Sequence, residues 1–553
     1  MIGADRVGGL ADGFAPHPDA AAHRYSEAGL FDGRALWQIV SDAARSNPDA
    51  PAVTDAGTDG PRTLTYSELD DAARSRAAGL VAAGLEPGDR VVLQLNNSAA
   101  FAITLLGLLR AGAVPVMTLP AHRISEISHL ASSVDAVAYI TEDARRGYDY
   151  RELASTLRDR VPGLRQVFID GDPGDHLPIP DADPAEIDLP EQMDPELPAL
   201  LLVSGGTTGL PKPIARTHND YVLNAVLSAE VTRLGAGDVY LAALPAAHNF
   251  PLACPGIFGT WAVGGHVVMT DNPSPDSAFD VIEAHGVTVT ALVPALAQVW
   301  TAATEWEPAD VSSLRLLQVG GSKLGQADAE ALDAALGPIG QQVFGMAEGL
   351  ICYTRLDDPR ELVHRSQGAP MSEFDDVRVV DENGDDVPDG AEGELLVRGP
   401  YTIRGYYRAG EQAANSFTPD GYYRSGDAVR RLAGGYLTVT GRIKDTVVRA
   451  GENVAADDVE ENLTAHPSIR QAAVVGVPDP DLGERISALV VVSHDHPPGQ
   501  PIELSEVRRF LTGRGLAAFK LPDEVHTVPS LPVTAIGKVD KKALRAELQK
   551  ENA

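Results

Sequence analysis

From Leu36 onward, segments with the apolar spacing of a helix alternate with short apolar runs of strand length, and this alternation restricts the fold most. Tyr66 to Ala83 reads as a helix, Arg90 to Leu95 as a strand, Ala99 to Arg110 as a helix and Val114 to Leu119 as a strand. Strands separated by helices have room for crossover connections, so the pattern predicts an α/β fold on largely parallel sheets. Ala99 to Leu119 is the most apolar stretch, but Gly107, Arg110, Gly112 and Pro115 interrupt it. It reads as a buried helix followed by a buried strand, not as a membrane span.

At 553 residues the chain can bury several cores. Residues 1–33 look like an irregular arm. Ile179 to Pro198 is rich in Pro, Asp and Glu and reads as a solvated surface loop. Between Asp375 and Thr440, turn signals at Asn383-Gly384, Asp389-Gly390, Asp420-Gly421 and Gly434-Gly435 separate short strands, which predicts antiparallel β. The character changes at Gly441-Arg442-Ile443-Lys444-Asp445. From Arg442 onward 14 Lys+Arg stand against 17 Asp+Glu, a net −3 within a total of −33. The expected division is an acidic body, residues 1–441, with parallel-rich sheets, flanking helices and a β-rich subdomain, followed by a small α+β module, residues 442–553.

A net charge of −33 argues against nucleic-acid binding, which needs a dense basic footprint, and against an anionic membrane surface. A few local Lys and Arg can still dominate a cleft for anionic substrates. Two cysteines, Cys254 and Cys352, exclude a disulfide framework or a four-cysteine zinc site by count. A reducing, cytoplasmic setting is expected. The N-terminus has no basic segment leading into an apolar run, so it does not read as a signal peptide.

The apolar run Leu201-Leu202-Val203 leads into Ser204-Gly205-Gly206-Thr207-Thr208-Gly209-Leu210-Pro211-Lys212. Glycines let backbone N–H groups close around a polyanion, the hydroxyls add donors, and Lys212 adds a point charge for phosphate. A P-loop is excluded: Gly206 and Gly209 are too close, and Lys212 lies between Pro211 and Pro213, so no helix starts there. The segment resembles the phosphate loop of the adenylate-forming superfamily, which includes acyl-CoA synthetases, luciferases and nonribosomal peptide synthetase adenylation domains.

The resemblance continues over roughly Leu36 to Lys542. Phe344-Gly345-Met346-Ala347-Glu348-Gly349 is similar to the second nucleotide motif. It implies that Val343 and Phe344 lie against adenine and that Glu348 helps hold Mg2+, a hard cation that prefers carboxylate oxygen. Gly320-Gly321-Ser322 resembles the wall beside adenine and acyl group. Tyr423-Arg424-Ser425-Gly426-Asp427 resembles the ribose motif, in which Asp427 accepts both hydroxyls. Gly441 to Asp445 resembles the hinge, with Arg442 on the ribose and Lys444 as pivot of a mobile C-terminal domain. Pro532 to Lys538 resembles the catalytic loop. Lys538 would bridge the carboxylate and α-phosphate and offset the charge that develops between them.

Ala246 to Gly256, with Arg216 to Tyr221 and Gly349 to Arg355, resembles the stand-alone aryl acid–AMP ligase branch. By that resemblance His248 gates the cleft, Phe250 presses on the aromatic ring, and Asn249 offers a neutral amide where amino-acid-activating relatives carry an Asp. Gly320, Gly321, Val343 and Gly345 would complete the acid pocket. Dihydroxybenzoate enzymes of the branch tend to carry Ser and Val where Cys254 and Ile351 stand, and salicylate enzymes Cys and Leu. A thiol in place of a hydroxyl makes a drier site, which favours salicylate over 2,3-dihydroxybenzoate. Cys352 stands where the branch often has Asn; it leaves a substituted salicylate open and could approach Cys254.

The implied reaction has two halves. Aryl carboxylate attacks the α-phosphorus of Mg-ATP, with Lys538 and Lys212 supplying charge; the C-terminal module then turns at Lys444 and a thiol takes the acyl group. The chain ends 15 residues after Lys538. The expected acceptor is therefore a phosphopantetheine on an aryl carrier protein in trans, with Arg508, Arg509, Arg514 and Lys520 as candidate contacts. An acyl-CoA ligase using free CoA, or a binding protein with a decayed site, are the rival readings.

Overall fold

Helix starts follow local chemistry. Thr65 and Glu68 form a capping box at the head of Tyr66–Ala82, and the Ser98 side chain accepts from the Phe101 N–H to open Ala99–Arg110. The computed structural model describes residues 10, 13–57, 60–204, 211–408, 410, 415–449, 452–479, 482–493, 496–497, 500–514, 516, 518–534 and 537–551.

A nine-stranded sheet runs in the order Ala369–Pro370, Ile351–Tyr353, Gly340–Gly345, Leu316–Gly320, Val289–Leu292, Val239–Ala242, His266–Met269, Pro51–Asp55 and Arg62–Thr65. Its interior pairings are parallel and its edges antiparallel. A seven-stranded sheet has the order Pro213–Thr217, Pro198–Val203, Val114–Met117, Arg90–Gln94, Ala138–Glu142, Gln166–Asp170 and Leu177–Pro178. There only the Pro198–Val203/Pro213–Thr217 hairpin pairs antiparallel. The strands Arg90–Gln94 and Val114–Met117 are buried throughout, as expected for parallel strands covered on both faces. One large core, including Tyr66, Phe101, Leu105, Tyr221, Phe258 and Trp261, joins helices to both sheets.

Asp376–Val380, Glu392–Arg398, Tyr423–Arg431 and Leu437–Arg442 form an antiparallel meander, with Gly384, Gly390, Gly421 and Gly434 at φ between 76° and 86° where left-handed turns require glycine. After it, Thr446–Arg449, Glu452–Ala455, Ile469–Asp479, Gly483–Val492 and Glu524–Thr527 make a further sheet. The buried residues Val447, Val459, Leu463, Val474 and Leu511 form a separate cluster on it, and Ala473, Val475, Leu544 and Leu548 another. The architecture is α/β with parallel-rich sheets, a β-rich section and a smaller α+β unit.

The arm is more regular than expected. Asp19–Glu27 is a helix: the Ala-rich run has good helix propensity, and Tyr25, 3% exposed, anchors it against His17 and Phe31. The Ile179–Pro198 segment is less solvated than expected: exposed and half-buried residues alternate along it, Met193 and Leu197 are buried, and Asp181 stands 2.8 Å from Arg76. Among the described residues, no helix is long and apolar enough to cross a membrane.

Candidate active site

The glycine-rich segment connects two strands of one hairpin. Ser204 N–H donates to the Lys212 carbonyl at 2.9 Å, and Lys212 N–H donates to Ser204 Oγ at 3.0 Å, so the loop is closed at its base. Strand Pro213–Thr217 follows at once, as the two prolines required. Gly205, Gly206, Thr207, Thr208 and Gly209 lie outside the described residues. The Lys212 side chain is exposed, and its Nζ stands 4.6 Å from the centroid of the Tyr406 ring.

Four charged residues from distant motifs meet beside it. Asp427 and Arg442 are directly opposed across the antiparallel ladder, with Arg442 Nε 2.8 Å from Asp427 Oδ1. Glu348, buried at 9% exposure, accepts from the Tyr406 hydroxyl at 2.7 Å. Lys538 is half-buried among these groups; burial first, then Arg442, pulls its ammonium down to about 8, against the pull of Asp427 and Glu348. Burial pushes the Asp427 carboxyl up, opposed by Arg442 and Lys538. Thr534 is tied to Lys538: its N–H donates to the Lys538 carbonyl at 2.6 Å and its Oγ1 accepts from Lys538 N–H at 3.2 Å. Lys323, next to the Gly320-Gly321-Ser322 segment, reaches Glu461 of the C-terminal unit at 2.8 Å.

A largely apolar sheet face adjoins this cluster at Gly320 and Gly321. Strand pairing places Gly320 beside Val343, Val343 beside Tyr353 and Gly345 beside Ile351. Side chains alternate along strands, so these positions share one face. Phe250 lies over that face, and a Cβ on Gly320 would stand 3.0 Å from Phe250 Cζ and 2.7 Å from the Val343 carbonyl oxygen. Gly321, with φ 85°, is in the left-handed region and lies alongside Lys538. Asn249 starts the short helix Asn249–Ala253, and His248 caps it: Nδ1 accepts from the Phe250 N–H at 3.2 Å, which leaves the ring proton on Nε2. Burial, with a smaller push from Lys538, holds His248 down to about 3, so it is neutral near pH 7. Cys254 Sγ stands 3.6 Å from Asn249 Nδ2, and burial pushes the thiol up to about 12. A thiol so protonated is not a nucleophile near neutral pH.

Comparison with known proteins agrees with the geometry: residues 40–407 match AMP-binding enzyme, and residues 458–538 match AMP-binding enzyme C-terminal domain. The chain belongs to the AMP-binding enzyme family. It is 51% identical to salicyl-AMP ligase / salicyl-S-ArCP synthetase of Mycobacterium tuberculosis, over 98% of this chain and 95% of that protein. It is 46% identical to 2,3-dihydroxybenzoate-AMP ligase of Bacillus subtilis, over 98% of both chains. The apo structure of Mycobacterium smegmatis MbtA is similar with a TM-score of 0.74 and 52% identity, covering 98% of this chain and 99% of that one.

In this AMP-binding enzyme, three parts of the site depart from or extend the sequence reading. Cys352 pairs with Phe344, one step out of phase with Ile351, so it turns to the opposite face of the sheet and lies near Asp375 and Tyr401. It does not share a sheet face with Ile351, and both cysteines are free and buried. Phe344 shares the Cys352 face and is half-exposed. Lys444 sits in the short 3-10 turn Ile443–Asp445, and Asp445 is tied to Arg545 at 2.7 Å.

Supporting residues had no role in the sequence reading. Tyr221 donates from its hydroxyl to Asn249 Oδ1 at 2.9 Å, which turns the amide's Nδ2 edge to Cys254. Asn224 Nδ2 donates to the Ala253 carbonyl at 2.6 Å. Arg216, fully buried, pairs with Asp220 at 2.8 Å and donates to the Ala347 carbonyl at 3.1 Å, one residue before Glu348. Removing either partner of that pair would leave a buried charge and cost about 3–5 kcal/mol. The motif around Arg216 carried the signal in its i,i+4 charge pair.

Proposed function

We propose that this enzyme converts an aryl carboxylic acid, with salicylate preferred, and ATP into an aryl adenylate and pyrophosphate, then passes the acyl group to the phosphopantetheine thiol of an aryl carrier protein in trans. The observation that carries this reading is the entry of Lys538, from the C-terminal unit, into the cluster of Glu348, Asp427 and Arg442 beside His248, Asn249 and Phe250. The relatives named for salicyl-AMP and dihydroxybenzoate-AMP formation support it.

Asp427 would accept the ribose hydroxyls, with Arg442 holding its charge in place. Lys212 and the Ser204–Gly209 backbone would face the phosphates. Lys538 would stand between the acid and the phosphates, where an ammonium lowers the repulsion between two approaching anions. Positioning and charge suffice, with no covalent enzyme intermediate. Asn249 would donate from Nδ2 to the acid or its ortho-hydroxyl, and Phe250 and Ile351 would hold the ring. Cys254 offers only a weak donor to a 3-hydroxyl, which favours salicylate over 2,3-dihydroxybenzoate.

The site suits Mg2+. Glu348 keeps one carboxylate oxygen free of the Tyr406 bond, and a single carboxylate completed by substrate phosphates and water is a common Mg2+ arrangement. Mg2+ bound there supplies charge neutralisation at the phosphates.

For the second half-reaction, residues 442–553 would turn about Lys444 and withdraw Lys538, with release of the Lys323–Glu461 pair. Of the basic residues suggested for carrier docking, Arg508 is tied to the Pro522 carbonyl, Arg514 to Asn462 and Lys520 to Asp458. Arg509 is exposed and is the preferred contact. The buried free thiols suit a reducing, cytoplasmic setting. Incubation with ATP, Mg2+ and salicylate plus either CoA or holo carrier protein, read by mass spectrometry, tests the transfer step. Salicyl-carrier should form; salicyl-CoA alone would favour the ligase reading.

A further inference from the structure

Residues Ile403 to Tyr407 tie the two nucleotide motifs together. Ile403 N–H donates to the Glu348 carbonyl at 2.8 Å, and Tyr407 N–H donates to the Pro213 carbonyl, just past Lys212, at 3.1 Å. Between those ties stands Tyr406, 9% exposed. Its hydroxyl donates to Glu348 Oε1 at 2.7 Å, and its ring carries the Lys212 Nζ at 4.6 Å from the centroid. The Tyr423 hydroxyl stands 3.1 Å from that of Tyr406, and Phe417 packs on the ring at a centroid distance of 6.3 Å.

We propose that Tyr406 is a positioning residue that fixes the Glu348 carboxylate and the Lys212 ammonium relative to one another, so that both meet the same metal–nucleotide. The inference rests on the adenylation reading. A phenol can do both tasks: its O–H donates to a carboxylate, and its face attracts a cation. The ring holds the ammonium without neutralising it. Among the described residues, no acidic side chain lies within ion-pair distance of Lys212 Nζ, and a carboxylate there would compete with phosphate. The hydroxyl likewise engages one Glu348 oxygen and leaves the other for a cation.

Tyr406→Phe separates the tasks, because it keeps the ring over Lys212 and removes the bond to Glu348. The test is binding of Mn2+ with a non-hydrolysable ATP analogue, followed by electron paramagnetic resonance on the full chain, alongside the salicylate KM in pyrophosphate exchange. Tyr406→Phe should weaken Mn2+ by about tenfold, the scale of losing a support to a metal ligand, with the salicylate KM unchanged. Tyr406→Leu should weaken Mn2+ as much and also raise the KM for ATP at saturating Mg2+. Mn2+ binding by Tyr406→Phe within about twofold of wild type would overturn the proposal, since that hydrogen bond would not matter to the metal. A salicylate KM rising in step with the Mn2+ constant would overturn it too, as a sign of general loosening. Failure of the wild-type chain to bind Mn2+ with the analogue would contradict the adenylation reading itself, and the Tyr406 role with it.

Discussion

The Phe250 ring lies directly over Gly320: a Cβ added there would stand 3.0 Å from Phe250 Cζ and 2.7 Å from the Val343 carbonyl oxygen. Real Cβ atoms do not approach backbone oxygen so closely. Gly320→Ala should therefore displace the Val343 backbone and press on the Phe250 ring, disturbing the proposed acid site, with a strain of about 1–3 kcal/mol. The expected result is a salicylate KM raised by about tenfold or more with the ATP KM nearly unchanged. Equal increases in both would place the damage outside the pocket.

On the proposed reading, Lys538 should give the alkaline limb of the pH profile. Its active form would be the ammonium, present below about 8 and lost above it. The kcat/KM for ATP in exchange should fall by about tenfold per pH unit above that value, while kcat holds to higher pH because bound phosphates favour the charged lysine. The loss is not unfolding: the unfolded lysine titrates near about 10.4, so between those values the unfolded chain holds a proton that the folded chain has released, and this group makes stability rise with pH. Lys538→Arg should lack the limb. A parallel fall in thermal stability over the same range would contradict the assignment.

His248 is expected to stay neutral, with its proton on Nε2, from pH 5 upward, because burial and Lys538 hold it down to about 3. Nitrogen-15 NMR of labelled imidazole measures both properties. A midpoint between pH 6 and about 7, the range of a free histidine, would contradict the geometry around Phe250.

The charged residues that the fold brings together were legible in the sequence because each stands in a short run of distinctive composition. Lys212, Glu348, Asp427, Arg442 and Lys538 all stood in such runs. Ala99–Arg110 was legible to the residue, since Ser98 marks its start and Gly112 follows its end. Support was not legible: Tyr221 reaches Asn249 across 28 residues, and Tyr406 reaches Glu348 across 58. Their partners are set by sheet order, which no local pattern encodes. Cys352 was misplaced because Gly349 to Arg355 was read as a motif rather than as a strand, whose two-residue period sends Ile351 and Cys352 to opposite faces. The arm helix Asp19–Glu27 was missed because it carries little apolar surface: Ala22 and Tyr25 are its buried positions, and Tyr25 holds it in place.

On the proposed reading, Cys254 and Ile351 would set the choice of acid. Cys254→Ser restores a hydroxyl beside Asn249, and Ile351→Val opens space of one methylene. Together they should shift the ratio of kcat/KM for 2,3-dihydroxybenzoate over salicylate upward by about 10-fold to 200-fold. A Cys352→Asn change, on the other face, should leave the ratio unchanged. Movement of the ratio by Cys352→Asn alone would mean that the pocket extends through the sheet.

Acid-dependent exchange of labelled pyrophosphate into ATP tests the central claim most directly. With Mg2+ and the full chain, salicylate should support exchange with a kcat/KM at least about tenfold above benzoate, which leaves the buried Asn249 amide unpaired, and Lys538→Ala should abolish it while nucleotide binding persists. Absence of exchange with salicylate, 2,3-dihydroxybenzoate and substituted salicylates alike, or undiminished exchange by Lys538→Ala, would contradict the account.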